Sequence, residues 1–381
     1  MQILLNWQLN TTFGWGILGL NLFKHLSDYT DLQVIMGREI GEEDIRGLNA
    51  LSRLQLMPAL VASNQFWQQE RTSPGLSGIV IDALGNGLHG GEFQGEFTIG
   101  RVVSDDTTRA ESQHRLRRYD AILTACKWNA ELLEQSTGRE IKVIHEGIDP
   151  ALFFPGPKSD MVDRTKFYIF SGGKIEHRKA QDLTLMAFKI FSQRHPDAVL
   201  VTAWHSPWPQ LSLGFQGRLA QPLRGNSRGE LDILRWVHDN GIDAQKVIDI
   251  GQVAHTQMAE IYRNVDVALQ PSRAEPGTSL PVKEAMACGV PVIAAQNTGM
   301  LDLLCAENSL PLTRQKISSQ YNQIGWGESD VEEIVAALEW IYQHREQARK
   351  GGLQAAQWIR DHNRTWKGHT DELISWLRQI L

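Results

Sequence analysis

Three cations follow a short apolar run in the second half of the chain. The apolar run ends at Phe170, and Gly173 and Lys174 follow it. Arg178 and Lys179 come next, just before a helical pattern begins. Glycine lets a ligand approach the main chain closely, and Lys or Arg suits the oxygen atoms of a diphosphate. A departing diphosphate gains negative charge, which cations at this turn would stabilise. Taken alone, the segment also fits exposed basic residues at the start of a surface helix.

Two carboxylates flank a Gly-Thr-Ser loop further along the chain. Glu275 precedes the loop, and Glu284 lies in the helical pattern that follows it. Unpaired N–H groups at a helix start can bind a phosphate, and carboxylates can accept hydrogen bonds from sugar and ribose hydroxyls. The loop thus predicts a sugar-nucleotide site, with N–H donors at Thr278, Ser279 and Leu280. The segment Gly251–His255 follows another predicted strand, and its main chain around Val253 could contact a nucleobase.

A glycine-rich loop lies near the start of the chain. Residues Gly14–Gly19 fit G-x-G-x-x-G, and Glu39 follows 20 residues later, as in a dinucleotide fingerprint. However, Gln8–Phe13 separate these glycines from the first predicted strand, which makes the loop too long for that motif. A plain tight turn remains the alternative to a ligand role. The ligand-binding candidates are Gly14, Trp15 and Gly16 on the donor side, with Asn10 on the acceptor side.

These loops require strands and helices that bring them together. Short apolar runs alternate with helical patterns over residues 1–150 and again over 151–300, which predicts two parallel, doubly wound α/β domains. The proline-rich stretch Asp149–Asp160 breaks the pattern and is the predicted linker. We therefore expect domains at 1–150 and 151–360, followed by a C-terminal helix at 361–381 that packs back on the first domain. The carboxyl ends of both sheets would then face one cleft, the usual ligand site of such folds.

The second half resembles the donor domain of the retaining GT-B glycosyltransferases related to glycogen synthase, family four (glycosyl transferases group 1). The resemblance covers most of 120–300, and the segment from Pro271-Ser272 through Glu284 to Ile293 is a specific part of it. It implies a GT-B fold of two Rossmann-like domains, with Lys174 and Lys179 on the donor diphosphate, Glu275 on the sugar and Glu284 on the ribose. Eight residues separate the two glutamates, one more than the common family spacing, as in a bacterial subgroup with the same loop. His145-Glu146 replaces the usual Pro-Asn before Gly-Ile-Asp149.

The acceptor side is less defined. The predicted strand 98–103 ends in Ser-Asp-Asp, which would place Asp105 and Asp106 at the cleft, although an N-cap for the predicted helix 107–118 explains them equally well. Asp82, after strand 78–82, is a further acceptor-side candidate. Similar proteins place a carboxylate or a histidine near the end of strand 98–103. The predicted catalytic residues are Glu275, Lys179 and Asp106.

Composition narrows the class of protein. Residues 1–150 hold 13 Lys and Arg against 19 Asp and Glu, which disfavours nucleic acid as a partner. The three cysteines lack metal-ligand spacing, no Asp-x-Asp motif occurs, and no apolar run reaches the roughly 18 residues of a membrane span. The basic cluster His114–Arg118 fits the solvated face of a short helix better than a membrane or phosphate site. Peripheral membrane contact stays open.

The sequence therefore predicts a cytoplasmic, metal-independent hexosyltransferase without a cofactor. It would move a sugar from a nucleotide-sugar donor to a glycan, lipid-linked or protein acceptor in bacterial glycan biosynthesis, and the resemblance implies retention. A non-catalytic scaffold of the same fold would be indicated by loss of the lysines or of Glu284, and all are present. A nicotinamide-dependent oxidoreductase would explain the front glycines but not the cations and glutamates. Phosphorylases and epimerases of the same fold are nearer alternatives.

Overall fold

The computed structural model describes residues 1–69, 75–106, 113–206, 208–215, 217, 219–317 and 323–381. Within that part of the chain, the first domain holds six parallel strands in the order β2-β1-β3-β4-β5-β6. Its elements are β1 (Gln2–Asn6), α1 (Gly14–Leu26), β2 (Gln33–Met36), α2 (Ala50–Gln69), β3 (Gly75–Leu84), β4 (Gln94–Val102), β5 (Ala121–Thr124), α3 (Lys127–Thr137) and β6 (Lys142–Val143).

The second domain repeats the architecture. Its described residues form a second six-stranded parallel sheet in the order β12-β11-β10-β7-β8-β9, followed by an antiparallel pair of strands, β13 and β14, and two helices. Its elements are β7 (Phe167–Gly172), α4 (Gln181–Arg194), β8 (Ala198–Ala203), α5 (Ile233–Asp239), β9 (Val247–Asp249), α6 (His255–Asn264), β10 (Val267–Gln270), α7 (Leu280–Ala287), β11 (Val292–Ala295), β12 (Leu310–Leu312), β13 (Gln315–Ile317), β14 (Gly327–Ser329), α8 (Val331–Gln343) and α9 (Arg345–Asp361). A last helix, α10 (Trp366–Ile380), ends the chain.

The strands form because apolar residues run continuously along them, as expected for parallel strands covered by helices on both faces. In β7, Phe167, Ile169 and Phe170 are buried, and β10 is buried over its whole length. Side chains cap the N-termini of several helices. At the start of α8, Asp330 accepts the N–H groups of Glu332 and Glu333. Two doubly wound sheets are therefore present, as the alternation of apolar runs and helical patterns predicts.

The last helix belongs to the first domain. The chain crosses between domains twice, and the crossings run side by side, with Ile148 N–H donating to Arg364 O at 3.0 Å and Trp366 N–H donating to Ile148 O at 3.0 Å. From there, α10 buries Trp366, Leu373 and Leu377 in the core formed with α1 and β1. This return places the C-terminal helix against the first domain.

Helix α2 begins at Ala50, and the residues before it form a turn around Asp44. The Asp44 carboxylate accepts the N–H of Gly41 at 2.9 Å and pairs with Arg38 at 2.9 Å. The helix expected over 107–118 falls partly outside the described residues, and Gln113–Arg118 form a 3₁₀ helix. None of the described helices combines the length and apolarity needed to cross a membrane.

Candidate active site

One cleft lies between the carboxyl ends of the two sheets. Its volume is about 560 Å³, and residues that follow β1, β3 and β4 in the first domain face residues that follow β7 to β10 in the second. From the first domain and the chain crossing, the lining residues include Thr12, Phe13, Gly14, Trp15, Ile17, Leu18, Asn86, Val103, Asp105 and Glu146. From the second they include Gly173, Lys174, Glu176, Arg178, Lys179, Trp208, Val253, His255, Tyr262, Glu275, Gly277, Ser279, Leu280 and Glu284.

The basic turn after β7 delivers its cations to this cleft. Gly173 has a φ of +117°, a backbone conformation that residues with side chains rarely adopt, and Lys179 packs 3.6 Å from where a Cβ on Gly173 would lie. Lys174 is half exposed, whereas the side chains of Arg178 and Lys179 are only 11% and 10% exposed. The turn therefore offers one solvated cation and two that are largely withdrawn from water.

Glu275 is the carboxylate that these two cations share. Its oxygens lie 2.7 and 2.9 Å from the Lys179 ammonium, and the Arg178 guanidinium donates to Oε2 at 2.8 Å. Ser272 donates a further hydrogen bond to Oε1 at 2.7 Å. Burial alone would raise the pKa of Glu275, but Lys179 and Arg178 outweigh burial and hold that pKa below its usual value. The carboxylate is therefore ionised at neutral pH.

A buried ion network fixes the loop that carries Glu275. Arg273 is fully buried and donates to both carboxylate oxygens of Asp182, at 2.9 and 2.7 Å, and to Glu328 at 2.9 Å. The Arg273 N–H also donates to the carbonyl of Arg178 at 2.7 Å. Burial, reinforced by Arg273, lowers the pKa of His177 to about 4, so this neighbour adds no charge at neutral pH. The network ties the basic turn to the carboxylate loop.

Glu284 of α7 has two side-chain partners on α6. The nearest ring nitrogen of His255 lies 2.6 Å from Oε1, and the Tyr262 hydroxyl donates to Oε2 at 3.1 Å. The carboxylate is 3% exposed and still lines the cleft. This arrangement leaves Glu284 oriented by two side chains and able to accept hydrogen bonds from a ligand hydroxyl.

The start of α7 carries unsatisfied polar groups. Within the described residues, the buried hydroxyls of Thr278 and Ser279 have no hydrogen-bond partner. Ser279 also has a φ of +45°, a strained backbone conformation for a residue with a side chain. Buried polar atoms are ordinarily paired, and the first N–H groups of a helix lack intrahelical partners. An anionic ligand at this helix start would satisfy both.

The wall from the first domain is mostly uncharged. Phe13 and Trp15 project into the cleft, and the N–H groups of Gly14, Trp15 and Gly16 precede the first hydrogen bond of α1, from Ile17 N–H to Phe13 O at 2.9 Å. The Phe13 ring contacts Trp208 of the opposite domain, with ring centroids 5.6 Å apart. This wall therefore offers backbone N–H groups and aromatic rings rather than cations.

Asp105 joins the two walls. Its carboxylate forms an ion pair with Arg178 at 2.6 Å, and its carbonyl accepts a hydrogen bond from Trp326 at 3.0 Å. Asp106 does not line the cleft in the described structure, and its N–H lies 3.4 Å from the Asn86 side chain. A catalytic role for Asp106 stays a prediction.

Most of the sequence-predicted site residues lie together in the cleft. They are Gly14, Trp15, Gly173, Lys174, Arg178, Lys179, Val253, Glu275, Ser279, Leu280, Glu284 and Asp105. Thr278 lies beneath the surface beside Ser279, 2% exposed. Gly16 and Asn10 pack against each other, because the Asn10 side chain fills the space where a Cβ on Gly16 would lie. Asn10 instead accepts the N–H groups of Thr12 and Phe13 and so shapes the glycine loop.

The expectation for Asp82 needs correction. Its side chain is completely buried, accepting hydrogen bonds from Asn6 at 2.5 Å and from Tyr119 at 2.7 Å. These two partners turn the carboxylate into the interior of the first domain, and it does not line the cleft. A strand end in the sequence does not reveal which neighbouring strand takes up its side chain.

Several site residues were not predicted from the sequence. His255 and Tyr262 orient Glu284, Glu176 pairs with Arg178, and Trp208 and Glu146 line the cleft. His255 closes the Gly251–His255 segment, and its position after a strand was the available signal. No described group of three or more His, Cys, Asp or Glu side chains is arranged to hold a metal ion.

Comparison with known proteins places this geometry in a family. The model of the family described as glycosyl transferases group 1 matches residues 157–358, more than half of the chain. A D-inositol 3-phosphate glycosyltransferase from Stackebrandtia nassauensis is 29% identical over 211 residues, 52% of this chain and 42% of that protein. One from Mycobacterium tuberculosis is 30% identical over 163 residues, 42% of this chain and 30% of that protein. The match thus spans less than half the length of these curated relatives.

Solved structures share the whole fold. A sucrose-phosphate synthase from Thermosynechococcus elongatus superposes with a TM-score of 0.68 at 17% identity, covering 100% of this chain and 98% of its own. Anabaena HepE, solved in complex with UDP-glucose, superposes with a TM-score of 0.64 at 14% identity, covering 100% of both chains. The predicted GT-B fold of two Rossmann-like domains is confirmed. With the family match over its second domain, the chain belongs to the glycosyl transferases group 1 family.

Proposed function

We propose that the protein is a metal-independent glycosyltransferase that moves a sugar from a nucleotide sugar to a hydroxyl of a glycan, lipid-linked or protein acceptor, with retention at the anomeric carbon. The observation that carries the proposal is the Lys179–Glu275–Arg178 cluster beside the start of α7, all at one cleft. It combines cations for a diphosphate with a carboxylate for a sugar. The names of the relatives, including a UDP-glucose complex of HepE, support the same donor class.

The donor is assigned to the second domain. A diphosphate would contact Lys179 and the hydroxyls and N–H groups at Ser279, and the ribose would donate hydroxyls to Glu284. The base would lie along the main chain at Gln252 and Val253, which line the same cleft. An ammonium has three donors, and Glu275 occupies two of them on Lys179, so a phosphate oxygen can take the third.

The proposed rate enhancement comes from stabilising the negative charge that develops on the leaving diphosphate. As the bond from the sugar to the diphosphate breaks, the leaving oxygen gains negative charge next to Lys179 and Arg178. Donors that are already fixed in a site shielded from water stabilise such charge without having to reorganise. In the retaining step the acceptor hydroxyl attacks the face that the leaving group departs from, and its proton passes to the departing phosphate. These cations would supply the charge that a divalent metal supplies elsewhere, which is the basis for proposing metal independence.

Nucleotide binding tests the proposal first. We expect one nucleoside diphosphate among UDP, GDP and ADP, and its sugar conjugate, to raise the melting temperature in EDTA by linkage to the folded state. Glu284→Gln should remove most of that shift, because an amide nitrogen that donates replaces one of the two charged oxygens that accept the ribose hydroxyls. The matched control is Glu260→Gln on the exposed face of α6, which should keep the full shift.

Product analysis then separates transfer from binding alone. Consumption of the sugar nucleotide with transfer to a mixture of glycan and lipid-linked acceptors supports the enzyme. Nucleotide-sugar binding without turnover on any acceptor would instead indicate a scaffold. A melting shift by NAD(H) and by none of the nucleotides would overturn the proposal.

A further inference from the structure

Glu146 lies in the first of the two crossings between the domains and yet lines the cleft. The adjacent crossing is tied to it by the hydrogen bonds of Ile148, so this part of the chain is held on both sides. The carboxylate is 13% exposed, which leaves it largely desolvated but open to a ligand. None of the roles assigned above uses this residue.

Two buried cations lie beneath Glu146. Lys283 of α7 is completely buried and donates its hydrogen bond to the Glu146 main-chain carbonyl at 2.9 Å. Arg101 of β4 is 1% exposed, and its Nε and Nη2 atoms have no hydrogen-bond partner among the described residues. Burial lowers the pKa of Arg101 to about 10, and the nearby charge of Glu146 opposes that shift. Burying a charge is costly unless an opposite charge is near. The Glu146 carboxylate therefore lies where the charges of both cations favour an anion.

The Glu146 carboxylate itself is poorly satisfied. Its Oε2 is 3.7 Å from the Lys283 ammonium, which is longer than a hydrogen bond, and the structure gives its carboxylate oxygens no hydrogen bond within the described residues. An ionised carboxylate offers about four acceptor positions. A purely structural ion pair would be expected to place an oxygen in direct hydrogen-bond contact with the amine. Since Glu146 also lines the cleft, a ligand there can reach its carboxylate.

The carboxylate adjoins the loop assigned to the donor sugar. A Cβ built on Gly277 would lie only 3.0 Å from Glu146 Oε2, so glycine at 277 leaves the space that this oxygen approaches. Gly277 lies between Glu275 and Ser279, the two residues assigned to the sugar and to the phosphates. Glu146 and Glu275 thus approach the same loop, one from the domain crossing and one from the second domain.

We propose that Glu146 accepts hydrogen bonds from hydroxyls of the transferred sugar, making it a specificity-determining residue of the donor-sugar subsite. This inference rests on the proposed function and extends it from a nucleotide site to a neutral, hydroxyl-rich sugar held between two carboxylates. Lys283 acts as the positioning residue, holding the Glu146 main chain in place.

The test compares a nucleotide with its sugar conjugate by calorimetry. Glu146→Asp keeps the charge that Arg101 and Lys283 require but withdraws the carboxylate by one methylene. We expect the Kd of UDP-glucose, or of whichever conjugate the wild type binds, to rise about tenfold, since a hydrogen bond to a charged group is lost. The Kd of the corresponding diphosphate should change less than about twofold, because the diphosphate lacks the sugar. Glu140→Asp, an exposed glutamate outside the cleft, is the matched control.

Each result decides the inference. Wild-type affinity of Glu146→Asp for both ligands, or an equal loss for both, would overturn it, since a structural role affects both alike. If Glu146→Asp does not fold, Glu146→Gln is measured by the same ratio, with the same expected selective loss. If the wild type binds neither the diphosphates nor their conjugates, the proposed function fails as well. If the wild type binds both and Glu146→Asp binds both equally well, only the inference about Glu146 fails.

Discussion

The two walls of the cleft are built on different principles. On the second domain, Lys179, Arg178 and Glu275 are withdrawn from water and fix one another through ion pairs between 2.7 and 2.9 Å. On the first domain, Phe13 and Trp15 dominate the surface around the glycine loop. The same doubly wound architecture thus presents a preorganised charge cluster on one side and a largely neutral surface on the other.

This difference predicts which wall determines the rate of donor use and which wall has smaller effects. Charges fixed in a desolvated site act strongly on a reacting diphosphate, whereas aromatic and backbone groups contribute smaller and less directional terms. We therefore expect substitutions on the second domain to reduce donor use steeply and substitutions on the first domain to have graded effects. Asp105 and Glu146 are the points at which this division can be tested, because each reaches from one wall to the other.

The largest effect is expected for Lys179→Met. The variant removes a cation that is 10% exposed beside the assigned leaving group, so donor consumption should fall by about 10²–10³-fold. The measurement is kcat/KM for the sugar nucleotide, with circular dichroism to check folding. Lys350→Met, in an exposed i,i+4 pair on α9, is the control and should keep full activity. Less than a tenfold loss for Lys179→Met would contradict the role assigned to the charge cluster.

An effect of intermediate size, on the pH dependence of stability, is expected for Lys283, which lies beneath Glu146. Burial lowers the pKa of Lys283 to about 8, and Glu146 offsets this only in part. Between about pH 8 and the usual value near 10.5, the unfolded chain holds a proton that the folded chain has lost, so the free energy of unfolding should rise with pH, by about 3 kcal/mol in total. Below about pH 8 the penalty of burying the charge is present in full.

Lys283→Met isolates this contribution. Urea unfolding gives the free energies of unfolding of wild type and variant at pH 7.5 and at pH 10. Between these pH values, the free energy of unfolding of the wild type should rise more than that of the variant. Other groups that titrate in this window are common to both proteins. Parallel pH profiles would show that the buried amine does not titrate as expected.

A smaller effect, and of opposite sign, is expected for Asp105→Asn. The variant removes a carboxylate that competes with the donor for Arg178, while Glu176 and Glu275 still pair with this guanidinium, so we take the released interaction as about 1 kcal/mol. The affinity for the nucleoside diphosphate should therefore rise by up to about fivefold, measured by calorimetry. Asp361→Asn, at an exposed aspartate that ends α9 outside the cleft, is the matched control and should leave that affinity unchanged. Weaker binding by Asp105→Asn would mean that the two walls must be bridged before the donor binds.

The smallest effect is expected where Phe13 and Trp208 meet across the cleft. The rings are 5.6 Å apart and inclined by 55°, and Trp208 is 41% exposed. A double-mutant cycle with Phe13→Ala and Trp208→Ala should give a coupling free energy of about 0.5 kcal/mol in unfolding, the lower end of the range for aromatic pairs. A coupling above about 2 kcal/mol would place a major stabilising contact on the wall that we regard as weak.

Local signals in the sequence determined much of this protein. Alternation of apolar runs with helical patterns predicts both doubly wound sheets, because continuous apolar strands form only where helices cover both faces. Segments that follow strands predict the basic turn at Lys179 and the carboxylates Glu275 and Glu284, since the carboxyl ends of parallel strands meet at one edge of a sheet. These inferences succeed because a few neighbouring residues contain the whole signal.

Tertiary structure alone decided which of these side chains meet. Asp82 ends its predicted strand, but β3 continues to Leu84, and Asn6 and Tyr119 hold the Asp82 carboxylate in the interior. Asp105 follows β4 and pairs with Arg178 of the other domain. Glu146 approaches Gly277 only because the chain crosses between domains beside α10. The partners in these contacts are about 40 to 130 residues apart, and the contacts of Asp105 and Glu146 depend on how the two sheets are placed relative to each other. No local pattern of residues encodes that placement, because it is set by packing between the domains.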